Sequence, residues 1–181
     1  MKASTGFTLV ELLVVIMIVS ILMGLGVPSF KYVTNSNRLS AEVNGLLGDM
    51  QLARAEAIKE GVPVTVCASK DQATCSGKSD WSTGWIAFVD ANNDGVRVPD
   101  EPLLREQKAL HVGDTLVDTT GTFSSATFNR AGFLSFVGMP VEGITLTLHD
   151  DKAIPDHTRC LWIASQGLMT TQTPATDAGC K

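Results

Sequence analysis

The chain has 181 residues, 44% of them hydrophobic, and a formal net charge of −5. That length leaves room for one soluble domain of about 150 residues with a buried core, beside a single membrane-type segment. An acidic chain has no long-range attraction for nucleic acid, and removal of residues 1–6 with Lys2 makes it more acidic still, at −6.

Residues 7–27 are apolar apart from one charge, Glu11. A helix of that length covers roughly 30 Å at about 1.5 Å per residue, the thickness of a bilayer core. A carboxylate deep in such a span costs about 2.5–3.5 kcal/mol on insertion scales, so Glu11 is the first candidate functional residue. A cleaved secretory signal would have a shorter apolar run closed by a small-residue site, and none closes this one. A plain anchor accounts for the length, but for neither Glu11 nor the Gly6 just ahead of the apolar block.

Gly24, Gly26 and Pro28 follow within a few residues, and a proline removes one helix hydrogen bond and clashes with the preceding turn. A kink or local melting is expected there. Helical spacing resumes over residues 29–60: Leu39, Val43, Leu46, Leu47, Met50, Ala53, Ala57 and Ile58 form a stripe, with Arg38, Glu42, Asp49, Arg54 and Glu56 between them. Gly61 and Pro63 end the pattern. One long helix is therefore predicted, half membrane span and half domain core.

Beyond Gly61 the pattern becomes β. Strands are predicted over 62–68, 84–90, 103–110, 121–129, 133–137, 143–149 and 159–164, with turn chemistry at Asn92-Asn93-Asp94-Gly95, Val112-Gly113-Asp114, Ala131-Gly132 and Gly138-Met139-Pro140. Residues 170–181 read as a loop held by Cys180. Helix first and strands afterwards predict an α+β domain, with the helix packed on mostly antiparallel sheet.

The four cysteines are Cys67, Cys75, Cys160 and Cys180, all outside the membrane-type stretch. An even count beyond an export-type segment predicts disulfides. Three connectivities exist, and proximity in sequence favours Cys67–Cys75 with Cys160–Cys180, each contributing about 2–3 kcal/mol by loop closure. No C-x-x-C pair supports zinc.

Asp90, Asn92, Asp94 and Glu101 fit a calcium-loop spacing, with Gly95 at the sharp turn. The competing reading is a hairpin turn: the segment before Asp90 is strand-like, Pro99 interrupts the loop, and Asn-Asp-Gly is itself a turn signal. Calcium is therefore a weak candidate cofactor. His111, His149 and His157 lack metal spacing, and His149 with Asp150, Asp151 and Asp156 reads as a solvated acidic loop. Gly77-Lys78-Ser79 is no P-loop, because the required earlier glycine is Gln72. Trp81, Trp85 and Trp162 read as core or subunit-contact residues. No nucleophile–base pattern appears, and the chain is expected not to be an enzyme.

Gly6-Phe7-Thr8-Leu9-Val10-Glu11-Leu12-Leu13 resembles the processing signature of type IV pilins and type II secretion pseudopilins. The resemblance implies that a prepilin peptidase cuts after Gly6, releases a leader of residues 1–6, and N-methylates Phe7. It also implies that Glu11 is an assembly residue. An ammonium on Phe7 and the Glu11 carboxylate are costly apart in hydrocarbon and tolerable as a pair. They can pair within one helix or, as the family implies, between neighbouring subunits, where the pair sets axial register. The bland alternative places Glu11 at the headgroup level with no specific role.

Three further segments resemble the GspH/FimT-like group, which includes FimU-type minor pilins. They are residues 46–57, residues 84–95 running on to Glu101-Pro102-Leu103-Leu104-Arg105, and Phe128-Asn129-Arg130-Ala131-Gly132-Phe133. DNA-uptake members of that group resemble one another in a Gly-Arg-x-Arg motif after the last strands, where this chain has Gly167-Leu168-Met169-Thr170. Both arginines are missing, and with them the phosphate contacts that drive non-specific binding.

The resemblance implies a leader (1–6), a membrane and assembly helix (7–28), and a periplasmic pilin domain (29–181) made of helix (29–60) and β-rich part (61–181). It implies a type IV pilin fold, a bacterial inner-membrane single-pass protein that later enters a filament, and pilins or pseudopilins as partners. The main expectation is a structural minor pilin that primes or joins a type IV pilus. The alternatives are a pseudopilin at a type II secretion pseudopilus tip and a DNA-binding minor pilin for transformation, with DNA the least expected partner.

Overall fold

The computed structural model describes residues 6–135, 143–177 and 179–180. Leader residues 1–5, the turn Gly138-Met139-Pro140 and the last two positions of the predicted 133–137 strand lie outside the described residues. Two compact units are present, Met1–Asn37 and Arg38–Lys181.

Helical backbone runs from Leu9 to Glu60, 52 residues (α1). Thr8 caps its start: the hydroxyl oxygen accepts from Glu11 N–H at 3.2 Å, and the first helical bond runs from Leu12 N–H to Thr8 O at 3.2 Å. This is half of a Thr-x-x-Glu capping box, which satisfies an otherwise orphaned donor. At the far end Gly61, with φ 71°, donates to Ala57 O at 3.1 Å and leaves the helix in the left-handed conformation that glycine tolerates. The expected melting at Gly24, Gly26 and Pro28 is not found, since the helical backbone continues through all three. One missing N–H donor leaves the hydrogen bonds on either side in place, so the helix need not unwind.

In the first unit the side chains from Leu9 to Met23 are exposed. The helix has an 18-residue window of mean hydropathy 2.7, none of it buried, and is long and apolar enough to cross a membrane.

In the second unit Leu39, Val43, Leu46, Met50, Ala53 and Ala57 are buried at alternating four- and three-residue steps. Leu47 is half-buried against the core, whereas Ile58 is 51% exposed, a correction to the predicted stripe. Ile58 lies one residue, about 100° of rotation, beyond the buried Ala57.

Among the described residues nine strands follow: β1 (Val64–Ala68), β2 (Trp85–Val89), β3 (Leu103–Gln107), β4 (Thr115–Asp118), β5 (Ser125–Phe128), β6 (Leu134–Ser135), β7 (Ile144–His149), β8 (Arg159–Ile163) and β9 (Met169–Gln172). They form two antiparallel sheets, ordered β3-β2-β1-β5-β6 and β4-β7-β8-β9. One apolar core joins the helix stripe to both, through Val64, Val66, Phe128, Leu146, Leu148, Leu161 and Ile163. Trp81 stacks on Phe123 with centroids 5.3 Å apart and donates from Nε1 to the Phe123 carbonyl at 2.7 Å.

Two strands differ from expectation. β4 was hidden by its length of four residues, although its alternation of exposed and buried side chains is that of a half-buried strand. β9 occupies the start of the segment read as loop, because pairing with β8 outweighs the weak pattern of Met-Thr-Thr-Gln.

Candidate assembly site

Residues 6–8 precede the helix in non-helical backbone, and Gly6 and Phe7 are exposed. The Gly6–Phe7 peptide bond therefore stands outside the helical hydrogen-bond ladder, ahead of the Thr8 cap. Among the described residues nothing lies within 4 Å of where a Cβ on Gly6 would stand. Glu11 falls in the first helical turn, where a carboxylate complements the positive end of the helix dipole, and its side chain is exposed. Gly6, Phe7 and Glu11 thus share one exposed helix start. Thr8 was not singled out from sequence, although Thr8-x-x-Glu11 carries the capping signature.

At the start of the second unit Arg38 joins Glu42 and Asp114. Arg38 donates from NH1 to Glu42 Oε1 at 3.0 Å, from NH1 to Asp114 Oδ2, and from NH2 to Asp114 Oδ1 at 3.2 Å. The Asp114 hydrogen bond, opposed by desolvation, holds the Arg38 guanidinium above its ordinary pKa. Burial pushes the Glu42 carboxyl up, against the pull of Arg38. Further along, Trp85 Nε1 donates to Asp49 Oδ2 at 2.8 Å, tying β2 to the helix. Arg38–Glu42 is an i,i+4 helix pair, whereas Arg38–Asp114 and Trp85–Asp49 join residues far apart in sequence that no local pattern marks.

The cysteines pair as Cys67–Cys75 and Cys160–Cys180. The first closes a short loop after β1, where Asp71 accepts from Ala73 N–H and Thr74 N–H at 2.9 and 2.8 Å. Those two backbone donors, Thr74's first, hold the Asp71 carboxyl far below the usual carboxylate range. The second ties the end of the chain to β8.

The calcium candidate is built as a turn. Asp90 is fully buried, with Oδ2 accepting from Thr65 Oγ1 at 2.7 Å and Gly95 N–H at 3.0 Å, and Oδ1 from Asp94 N–H at 3.1 Å. Asp94 Oδ1 accepts from Val96 N–H, Asn92 donates to Asp94, and Glu101 Oε2 accepts from Val98 N–H at 3.0 Å. Among the described residues no three His, Cys, Asp or Glu side chains are grouped to hold a metal ion. The carboxylate oxygens of Asp90, Asp94 and Glu101 serve as loop-closing acceptors, and strand β2 stands where an EF-hand would have a helix.

The solvated acidic loop is corrected at Asp150 alone, since Asp151 and Asp156 are exposed and His149 is half-buried. Asp150 and His157 are 4% and 3% exposed, and His157 Nδ1 lies 2.8 Å from Asp150 Oδ2. His149 Nδ1 lies 3.1 Å from Thr158 Oγ1. Burial opposes ionisation of Asp150, but the His157 hydrogen bond and the Ile154 N–H hold its carboxyl below the ordinary range. Spacing alone could not show that the 150–158 loop folds back on its own carboxylate.

At the position of the missing arginines, Gly167 is buried and Leu168 is 57% exposed. The place of the DNA-uptake motif therefore presents an apolar side chain.

Comparison with known proteins agrees with this arrangement. The profile of a family described as Prokaryotic N-terminal methylation motif matches residues 1–27, and that of Type II transport protein GspH matches residues 42–167. The type II secretion system protein H of Pseudomonas aeruginosa is 43% identical over 58 residues, 32% of this chain, and the matched stretch spans only 34% of that relative's length. The crystal structure of the type IV minor pilin FimU from Pseudomonas aeruginosa superposes with a TM-score of 0.59 at 22% identity, covering 77% of this chain and 91% of FimU. The minor pseudopilin EpsH of Vibrio cholerae superposes at 0.53 and 14% identity, covering 76% of this chain and 98% of EpsH. Those likenesses show the type IV pilin fold: a long N-terminal helix packed on antiparallel sheet. With the GspH profile spanning most of the sequence and the methylation motif ahead of it, the chain belongs to the GspH family of minor pilins and pseudopilins.

Proposed function

We propose that the chain is a structural minor pilin, processed by prepilin peptidase and built into a type IV pilus, where it primes or connects the filament. The observation that carries this reading is the exposed helix start, with a non-helical Gly6–Phe7 bond directly ahead of a capped apolar helix bearing Glu11. Cleavage there frees an ammonium on Phe7, which is methylated, near a carboxylate that needs a cationic partner in hydrocarbon. The helix holds the chain in the inner membrane with its domain in the periplasm, and afterwards packs among the helices of other pilins. The chain acts as a peptidase substrate and not as an enzyme. It needs no cofactor, and the weak calcium candidate at Asp90, Asn92, Asp94 and Glu101 is set aside because those groups already serve the turn.

The test is Glu11→Ala. Processing should stay intact while recovery of the chain in sheared filaments falls; equal recovery of variant and wild type would sink the reading. A second reading, a pseudopilin of a type II secretion pseudopilus tip, is favoured by the 43% identical segment of a secretion-system protein. Deleting the gene and measuring exoprotein secretion beside surface piliation separates the two. DNA reception is disfavoured by Leu168 and Thr170 at the two arginine positions of the motif, and a gel shift at low salt with the full chain in detergent tests it.

A further inference from the structure

Among the described residues the two sheets have four edge strands, and an unprotected edge is a template for pairing with another chain. Three of the four are blunted. β3 carries Arg105 and Glu106, with a register shift against β2 between Ala87 and Phe88. β4 ends in Asp118 and is bridged by Asp80 through Val117. β6 spans Leu134–Ser135 among the described residues, and its outward Leu134 N–H already donates to Ser165 O at 2.9 Å. β9, Met-Thr-Thr-Gln, has no charge, no proline and no bulge.

The register shows which of its groups face outward. Ala164 N–H donates to Leu168 O at 2.9 Å, so 164 and 168 form a hydrogen-bonded pair. Such pairs alternate in an antiparallel ladder, which makes Trp162↔Thr170 and Cys160↔Gln172 the next two. The N–H and C=O of Met169 and Thr171 therefore point away from β8, on the open side of the sheet. Beside this edge lies a cleft of about 220 Å³ whose other wall is the helix, at Ser40, Val43 and Asn44. Thr171, Gln172 and Thr176 line the strand side. Arg159 also lines the cleft, with Nε donating to Ser40 Oγ at 2.9 Å. Apart from that guanidinium the lining among the described residues is neutral hydroxyls, amides and one valine, with no carboxylate.

We propose that β9 is a docking edge for an extended, uncharged segment of a neighbouring filament subunit, added as a further strand to the β4-β7-β8-β9 sheet. The incoming backbone pairs with Met169 and Thr171, and one of its side chains enters the cleft against Asn44 and Gln172. A peptide strand is the chemistry that an outward N–H and C=O in strand geometry recognise, and the neutral edge does not repel an uncharged one. The donor's identity as a filament subunit rests on the pilin reading; the open edge does not.

The test places a photo-crosslinking residue at Asn44 in the full chain, in membranes of cells making the filament system. Thr171→Pro removes the outward N–H and leaves the β8 pairing intact, Thr171→Lys charges the edge, and Thr171→Ala keeps the N–H. Wild type and Thr171→Ala should give an adduct with a pilin-type subunit, identified by mass spectrometry. Thr171→Pro and Thr171→Lys should reduce it about tenfold or more. Thr171 is exposed, so the lysine variant keeps the proposal testable even where the proline variant proves unstable in thermal unfolding. An equal adduct in folded Thr171→Lys overturns the proposal. So does the absence of any adduct in wild type while the chain is present in sheared filaments. An adduct without recovery in sheared filaments overturns the pilus reading and leaves the docking edge standing.

Discussion

Arg54 Nε donates to the Gly132 carbonyl at 2.9 Å, joining the helix to the turn between β5 and β6. Its NH2 also reaches the Gln166 carbonyl at 3.3 Å, so one side chain on α1 holds a loop from each sheet. The two loops meet so closely that a Cβ on Gly167 would stand 2.3 Å from Gly132 O and 2.9 Å from Arg54 Nε. Gly167 also has φ 77°.

Gly167→Ala should therefore destabilise the domain by about 2–4 kcal/mol, through left-handed strain and a backbone clash together. Gly132→Ala, whose Cβ would meet the movable end of Ile58 at 2.8 Å, should cost less. Urea unfolding of the two variants beside wild type gives the order, and equal stabilities would refute it.

The disulfides close loops of different length, with sequence separations of 8 for Cys67–Cys75 and 20 for Cys160–Cys180. Chain-entropy arithmetic gives about 2.6 and 3.3 kcal/mol. Replacing Cys160 and Cys180 by serine should thus lower stability somewhat more than replacing Cys67 and Cys75. Denaturant midpoints of the two double variants decide it.

The Asp150 carboxyl is held below its ordinary pKa, so its contribution is full above the unfolded value of about 3.9 and is lost as pH falls through the folded one. Asp150→Asn should cost about 1–3 kcal/mol near pH 7, where it weakens the bond to His157, and progressively less below about pH 4. Glu42 has the opposite sign. Its folded pKa is raised, so its contribution weakens as pH rises through that value. A pH series of unfolding curves should show Asp150→Asn converging on wild type in acid; a constant gap would refute the assignment.

Gly6→Ala tests the cut site with little structural interference, because no described residue stands within 4 Å of the added methyl. Slower release of the leader, read as mature mass by mass spectrometry, would reflect the peptidase's demand for a bare α-carbon. An unchanged mature mass and rate would move the cut elsewhere.

Helix-first order, the strand series and the buried stripe were legible because each depends on local periodicity. Leu39, Val43, Leu46, Met50, Ala53 and Ala57 recur at helical spacing, and all are buried. β9 and the His157–Asp150 pair escaped notice for the opposite reason. Met-Thr-Thr-Gln becomes a strand only through β8, and Asp150 is buried only because the 150–158 loop returns to it.

The helix start is likewise local in sequence, the Thr8 cap being the part of it that was not singled out from sequence. A small residue, a threonine cap, one carboxylate and an apolar run are adjacent in sequence, so their relationship survives without any tertiary contact. What only the tertiary structure decided are the long-range partnerships: Arg38 with Asp114, Trp85 with Asp49, Arg54 with Gly132, and the edge left open at β9. Those depend on which strands become neighbours, which is set by burial of one shared core and written in no single stretch of the chain.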